Sequence, residues 1–396
     1  MKKLVSFLIS LLLIFGCTFS AFASVDENEG VIPDAEDPII GTSVPEINAK
    51  AALLMDADTG TVLFTKNASE PLPPASVTKI MTLLLVAEAI DAKEIDLNDK
   101  VTVSANAASM GGSQIFIKEG EEFTVEELLK SAIIASANDA SVALAELLAG
   151  SEDAFVSKMN ARAAELGMKN TVFENATGLD DTVTNHSISA YDIALMSKEL
   201  LKHPAVTKYS NIWQDSIRNG EFILTNTNRL VRFYDGCTGL KTGSTDKAGF
   251  CISATAKRGG MHLIAVIMGA ESRDERNNAA RALLDYGFAN FALYSDAGGY
   301  LEDVPVQYGA VDNVSVSSRG FSKIVNKSDK GKIEKIYDIP DALAAPLTKG
   351  EAVGRIIYKL GDETIGECEI VIDNSVERLG LFDIYWRLLW TVLAGK

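Results

Sequence analysis

The apolar and polar positions divide the chain into stretches of different period. An apolar run at residues 4–15 follows Met1-Lys2-Lys3, and residues 24–47 are polar, acidic and proline-containing, as a flexible lead segment is. Short apolar runs at 51–56 and 61–64 flank Asp58-Thr59-Gly60, which predicts a hairpin. Residues 80–87 are apolar on every side and predict a buried helix. Helical patterns cover 122–148, 154–166 and 193–201, while 237–242, 250–255 and 262–268 read as strands. After about Ser295 the helical signal stops. Strands are expected at 304–308, 314–317, 333–337, 354–360 and 364–372, with Gly361-Asp362 turning the last hairpin. As a helix, residues 379–396 align Asp383, Arg387 and Thr391 in one narrow polar stripe, leaving Leu381, Phe382, Trp386 and Trp390 on the apolar remainder. The expected organisation is a leader at 1–23, a lead segment at 24–47, a mixed helix–strand domain at 48–294, an all-β domain at 295–376 and an amphipathic helix at 377–396.

Ala21-Phe22-Ala23 completes the leader as a small-residue cleavage signal, so the protein is expected to be exported, with Ser24 as its mature N-terminus. The apolar run is too short for a membrane-spanning anchor of ~20 residues. Ile14-Phe15-Gly16-Cys17 also hints at a lipoprotein site, but Phe15 is bulky for one. Cleavage removes Lys2 and Lys3 and takes the formal charge from −17 to −19. So acidic a chain is a poor nucleic-acid binder, because phosphate neutralisation needs clustered Lys and Arg.

Candidate chemistry lies in three motifs: Ser76-Val77-Thr78-Lys79, Ser136-Ala137-Asn138 and Lys241-Thr242-Gly243. Each alone is weak, and the chain holds decoys in Ser244-Thr245-Asp246-Lys247 and Ser104-Ala105-Asn106. The order and setting of the three together carry the weight. Ser76 precedes the apolar run and should lie at a helix N-terminus, where unpaired N–H groups favour an oxyanion. Lys79, one turn on, shares its face. Walled in by apolar residues, Lys79 would have its pKa lowered and could accept the serine proton. The set supplies a nucleophile, a base, a hydroxyl relay and a cationic clamp, which is the equipment of acyl transfer.

The ordered motifs S-x-x-K, S-x-N and K-T-G resemble those of penicillin-binding proteins and class A β-lactamases. Further segments, among them residues 112–120, 136–140, 150–156, 177–180 and 239–250, resemble the serine-type D-alanyl-D-alanine carboxypeptidases, the low-molecular-mass penicillin-binding proteins of peptidase S11 type, over nearly the whole mature chain. The resemblance implies an α/β (α+β) transpeptidase-like domain, an antiparallel sheet flanked by helices with the site at the sheet edge along the Lys241 strand, and then a small all-β stalk or docking domain. It implies removal of the terminal D-alanine from peptidoglycan stem pentapeptides through a Ser76 acyl-enzyme, with β-lactam antibiotics as inhibitors and no cofactor or metal. Lys79 would be the general base and Ser136 the proton relay. Asn138 would hold the peptide amide, Lys241 and Thr242 the terminal carboxylate. Gly243 completes the third motif, and the N–H groups of Ser76 and Ser244 would form the oxyanion site. Ser244 departs from the histidine the family often carries there.

Rival readings are limited. The histidines His186, His203 and His262 show no metal-ligand spacing, His203 is expected only to complement a helix C-terminus, and no G-x-S-x-G elbow occurs. A β-lactamase would need a water-activating glutamate in an E-x-x-x-N element; Glu174 has its asparagine adjacent and reads as a loop carboxylate. A catalytically silent wall-binding protein would not need the intact Ser76, Lys79, Ser136 and Lys241. The C-terminal helix, about 27 Å long over residues 379–396 at 1.5 Å per residue, is too short to cross a bilayer comfortably, and its tryptophans suit an in-plane anchor at the outer face of the cytoplasmic membrane. Docking on its own domain is the alternative. Cys237 and Cys251 flank the Gly243-Ser244-Thr245 turn symmetrically, so a disulfide and two buried thiols both stay open, with Cys368 free.

Overall fold

The computed structural model describes residues 44–181 and 183–394; the leader, Cys17 and residues 24–43 of the lead segment lie outside the described residues. Strands β1 (Ala51–Asp56) and β2 (Val62–Lys66) form the expected hairpin, in which Asp56 Oδ1 accepts from the Thr59 N–H and hydroxyl and Gly60 adopts φ +77°. With β3 (Cys237–Thr245), β4 (Gly249–Arg258) and β5 (Met261–Ala270) they make an antiparallel sheet of order β2-β1-β5-β4-β3. The helices that position the site are α1 (Lys79–Asp91), α2 (Val125–Ile134), α3 (Asn138–Ala149), α4 (Ala190–Leu200) and α5 (Arg273–Asn290).

Both faces of the sheet are covered, so every residue of β1 is buried and its sequence is an unbroken apolar run rather than an alternation. On one face Leu54, Ala254, Leu263, Ala265 and Ile267 join Ala280, Leu283 and Leu284 of α5 in one core. On the other lies α4, whose Ser197 hydroxyl meets that of Ser253 on β4 at 2.8 Å. Helix α1 runs through the middle of the helical layer against α2, α3 and α4, which is why its sequence is apolar all round. The edge strand β3 passes beside the N-terminal end of α1 and carries the third motif to the first.

Two expectations need correction. The segment 122–148 is not one helix. Glu122–Thr124 is a strand, and Thr124 and Glu127 form a capping box that starts α2. The chain breaks again at Ser136, φ +63°, before α3 begins. Ala-Ser-Ala carries no helix-breaking residue, so local propensity gave no warning. Likewise, Phe291–Asp296 leaves α5 as a strand paired with Phe321–Asn326. A short apolar run does not by its period alone separate strand from helix.

Of the two readings for Cys237 and Cys251, the structure has free thiols. The turn is symmetric in sequence, but the β3–β4 register sets Cys251 opposite Gly243 and Cys237 opposite Ala256. The two cysteines are thus offset by five residues, ~17 Å along the strands, far beyond disulfide reach.

Beyond α5 the chain is all-β. Six strands run in the order Ile333–Asp338, Ala352–Leu360, Glu363–Ile372, Asn313–Ser318, Gly299–Gln307 and Leu343–Ala344. Gly361, φ +62°, turns the expected hairpin. Tyr358 anchors this core, stacked on Phe321 at 4.1 Å with its hydroxyl donating to Asp296 at 2.7 Å. The terminal helix α6 (Leu381–Ala394) holds Leu381, Phe382, Trp390, Val392 and Leu393 in the open, Leu381 at 89% exposure and Trp390 at 67%. Among the described residues no helix is long and apolar enough to cross a membrane.

Candidate active site

The nucleophile turn is tighter than expected. Ala75–Thr78 is a 3₁₀ turn after Pro73-Pro74, with Ala75 forced to φ +49°, and the α-helix starts only at Lys79. Side chains at i and i+3 eclipse in a 3₁₀ turn, which brings Lys79 Nζ to 2.9 Å from Ser76 Oγ. Lys79 is fully buried. Its other neighbours are Asn138 Oδ1 at 2.6 Å and the Thr177 carbonyl at 2.8 Å. Burial first, and the positive charge of Lys241 second, hold its pKa well below the ordinary lysine value, with Asp139 opposing. The neutral amine keeps two N–H bonds, and these two acceptors take both. Its lone pair is then left facing Ser76.

The strained Ser136 conformation presents its hydroxyl to Lys241 Nζ at 2.8 Å, and the Lys241 ammonium also donates to the Thr242 carbonyl at 2.9 Å. Burial, aided by Arg276, lowers the Lys241 pKa to about 7. Gly243 permits the approach of β3: a Cβ there would lie 2.8 Å from the Pro74 carbonyl and 2.8 Å from Ser76 N. Ser76, Ser136, Thr242, Gly243 and Ser244 line one cleft of about 500 Å³.

Two of the expected site residues also make contacts within the protein that the motifs did not reveal. Asn138 is buried, with Oδ1 on Lys79 and Nδ2 on the Gly111 carbonyl at 2.7 Å, so it orients the lysine. Lys241 is 1% exposed and sits behind Ser136. The cations on the cleft wall are Arg229, Arg273 and Arg276, which the motifs did not reveal. Arg276 is 3% exposed, bonds only the Asn277 side chain, and has no carboxylate within 4 Å among the described residues. Burial and Arg273 lower its pKa to about 10. A signal was present: two arginines in the first turn of α5 oppose the helix dipole, which favours anions there. Thr227, whose hydroxyl accepts from that of Thr242 at 2.7 Å, and Trp213 complete this wall.

The remaining candidates lie elsewhere. Glu174 Oε2 accepts from the N–H groups of Thr184 and Asn185 at 2.9 and 3.0 Å and lines no part of the cleft. His203 meets Asp91 at the end of α1, and His262 meets Thr238. His186 bonds the nucleophile turn at Thr78.

Residues 39–272 match the D-alanyl-D-alanine carboxypeptidase family, and 288–378 match the C-terminal domain of penicillin-binding protein 5. The chain is 40% identical over 400 residues to the D-alanyl-D-alanine carboxypeptidase DacF of Bacillus subtilis, covering 99% of both chains, and 34% identical to DacC of Escherichia coli, covering 86% of this chain and 88% of DacC. Penicillin-binding protein 5 from Haemophilus influenzae superposes with TM-score 0.75 at 30% identity, over 85% of this chain and all of that one. Ampicillin-bound penicillin-binding protein D2 from Listeria monocytogenes matches at TM-score 0.57 and 31% identity, over 62% of this chain and all of that one. The chain belongs to the D-alanyl-D-alanine carboxypeptidase family, peptidase S11, a family of serine peptidases, and its fold is a transpeptidase-like domain followed by an all-β domain.

Gly178 tests how tightly the site is braced. It has φ +80°, and a Cβ would fall 1.8 Å from the Ala75 carbonyl oxygen and 2.7 Å from Thr78 Oγ1. Gly178→Ala is expected to cost about 2–4 kcal/mol of stability and to push the Thr177 carbonyl off Lys79. Thermal unfolding together with penicillin acylation rates checks this; a variant normal in both would mean the contact yields easily.

Proposed function

We propose that this chain removes the terminal D-alanine from peptidoglycan stem peptides ending in D-Ala-D-Ala. The observation that carries the reading is Lys79 Nζ at 2.9 Å from Ser76 Oγ with Asn138 Oδ1 and the Thr177 carbonyl at 2.6 and 2.8 Å; in the neutral amine these two acceptors take the N–H bonds and leave the lone pair for Ser76. Ser76 Oγ attacks the carbonyl between the two D-alanines as its proton passes to Lys79. The N–H groups of Ser76 and Ser244 carry the oxyanion. Ser136, whose oxygen accepts from Lys241, relays the proton taken up by Lys79 to the departing amine, which returns Lys79 to the free base; the C–N bond breaks and D-alanine leaves. Water then cleaves the ester and restores Ser76. Arg276 and Thr242 hold the free carboxylate, with the Lys241 charge reinforcing them from behind Ser136. β-Lactams enter as acylating analogues. Neither alternative gains support: among the described residues no glutamate lines the cleft, as the water-activating one of a β-lactamase would, and the Ser76–Lys79 and Ser136–Lys241 contacts have no use in a silent wall-binding protein.

The export signal and the exposed apolar side chains of α6 support a location at the outer face of the cytoplasmic membrane, with α6 lying in the headgroup plane.

The direct test is D-alanine release from a D-Ala-D-Ala pentapeptide. Penicillin should block it and leave one stable adduct on the Ser76 peptide; rapid turnover of the adduct would indicate a β-lactamase. The rate should rise with pH as Lys79 loses its proton and fall again as Lys241 loses its own near 7, with the alkaline limb of kcat higher than that of kcat/KM because the bound carboxylate supports the Lys241 charge. A profile still climbing at pH 10 would mean that Lys79 titrates as an ordinary lysine.

Substrate amidation isolates the carboxylate contact. Losing a charge-assisted bond of ~1.5–3 kcal/mol lowers kcat/KM roughly ten- to a hundredfold. Arg276→Gln should cost a similar factor, and the two changes together should cost much less than their product. Equal cleavage of free and amidated peptides would refute the clamp.

Deleting residues 379–396 should release the protein from membranes and leave hydrolysis of a soluble peptide intact. A truncated protein that still sediments with membranes would count against the anchor.

A further inference from the structure

The Thr177 carbonyl reaches Lys79 from the loop between Val172 and Ser187, which has to be held against the nucleophile turn. Asn175 Oδ1 accepts from the N–H groups of Thr177 and Gly178 at 3.2 and 2.7 Å, and Thr82 Oγ1 donates to the Ala176 carbonyl at 2.7 Å. A further tie is a histidine. His186 is 5% exposed, edge-on to Phe173 at 5.8 Å, and uses both ring nitrogens. Its Nδ1 lies 3.0 Å from the N–H of Glu174, a group that only donates, so Nδ1 is the acceptor. The ring proton therefore sits on Nε2, which donates to Thr78 Oγ1 at 2.8 Å. Thr78 is the residue next to Lys79. One imidazole thus joins the entrance of the loop to the turn that carries nucleophile and base.

We propose that His186 is a positioning residue for acylation: as the Nε2–H tautomer it fastens the 173–186 loop to Thr78, keeps the Thr177 carbonyl on Lys79 and so aims the amine lone pair at Ser76. Burial lowers the imidazole pKa to about 4, with Lys247 assisting and the Glu174 carboxylate opposing, so the ring is neutral near neutral pH. A protonated ring would set Nδ1–H against the Glu174 N–H, donor against donor. The inference rests on Lys79 as the base, whose charge is further biased by Lys241 and Asp139.

The test measures acylation by a fluorescent penicillin across pH in the full chain. His186→Asn keeps an acceptor near Glu174 but loses Thr78, and Thr78→Val removes the same bond from the other side. Each should slow acylation about tenfold with the noncovalent penicillin affinity within twofold, and the double variant should be no slower than either single one. Thr78→Ser, which retains the hydroxyl, should restore the rate. Because the Thr177 carbonyl also supports the Lys79 ammonium, the acid limb of the rate should move to lower pH in His186→Asn and in Thr78→Val. Losses that multiply in the double variant, or lower thermal stability with unchanged rate and limb, would overturn the proposal. If His186→Asn does not fold, the Thr78→Val and Thr78→Ser pair decides alone. Lys79→Arg is the separate control: retained acylation there refutes the base, whereas its collapse alongside a normal Thr78→Val refutes only the positioning role.

Discussion

The site depends on one buried amine. Taking a lysine ammonium out of water costs several kcal/mol, and burial together with a second buried lysine nearby relieves that cost by favouring the neutral form. Neutrality alone would leave the lone pair without a direction. The direction comes from two oxygen acceptors on separate parts of the chain, Asn138 at the start of α3 and Thr177 in the loop before α4, which take the two N–H bonds. Ser76 lies along the third. The 3₁₀ turn, the break before α3 and the loop over α1 are therefore parts of one requirement.

That requirement is met at the expense of backbone strain. Ala75, Phe116 and Ser136 have side chains and positive φ, at roughly 1–3 kcal/mol each in the least favourable case; Ser136 belongs to the second motif and Ala75 immediately precedes the first. Such strain persists only where packing overdetermines it. Helix α1 is buried on all sides, β3 presses Gly243 against Pro74 and Ser76, and Gly178 fits where no larger residue would. The doubly covered sheet is the rigid body against which these contacts are held.

How much of this was legible in the sequence follows the range of the forces. The hairpin, the buried helix and the three sheet strands showed in local periodicity, and the motif order pointed to Ser76, Lys79, Ser136 and Lys241. The break at Ser136 was hidden because tertiary contacts impose it on residues with no local preference for it. The β3–β4 register was hidden because a sequence-symmetric turn does not fix which residues face each other. The contacts of Asn138 and Lys241 depend on chain segments 59 and 105 residues away, a distance over which spacing says nothing. Arg276 was readable only as an anomaly, a cation where a helix prefers an anion.

The arginines also settle an apparent conflict between the charge of the whole and the task of the part. A chain at −17 repels an anionic peptide, yet the cleft has to bind a carboxylate. With a Debye length of ~8 Å in physiological salt, dispersed surface carboxylates are largely screened, while the buried Arg276 guanidinium on the cleft wall is screened much less. Among the described residues it has no carboxylate partner within 4 Å, so none of them has to be displaced before a ligand binds. The local field at the cleft therefore outweighs the net charge of the chain at contact distance, and the acidic remainder acts on solubility.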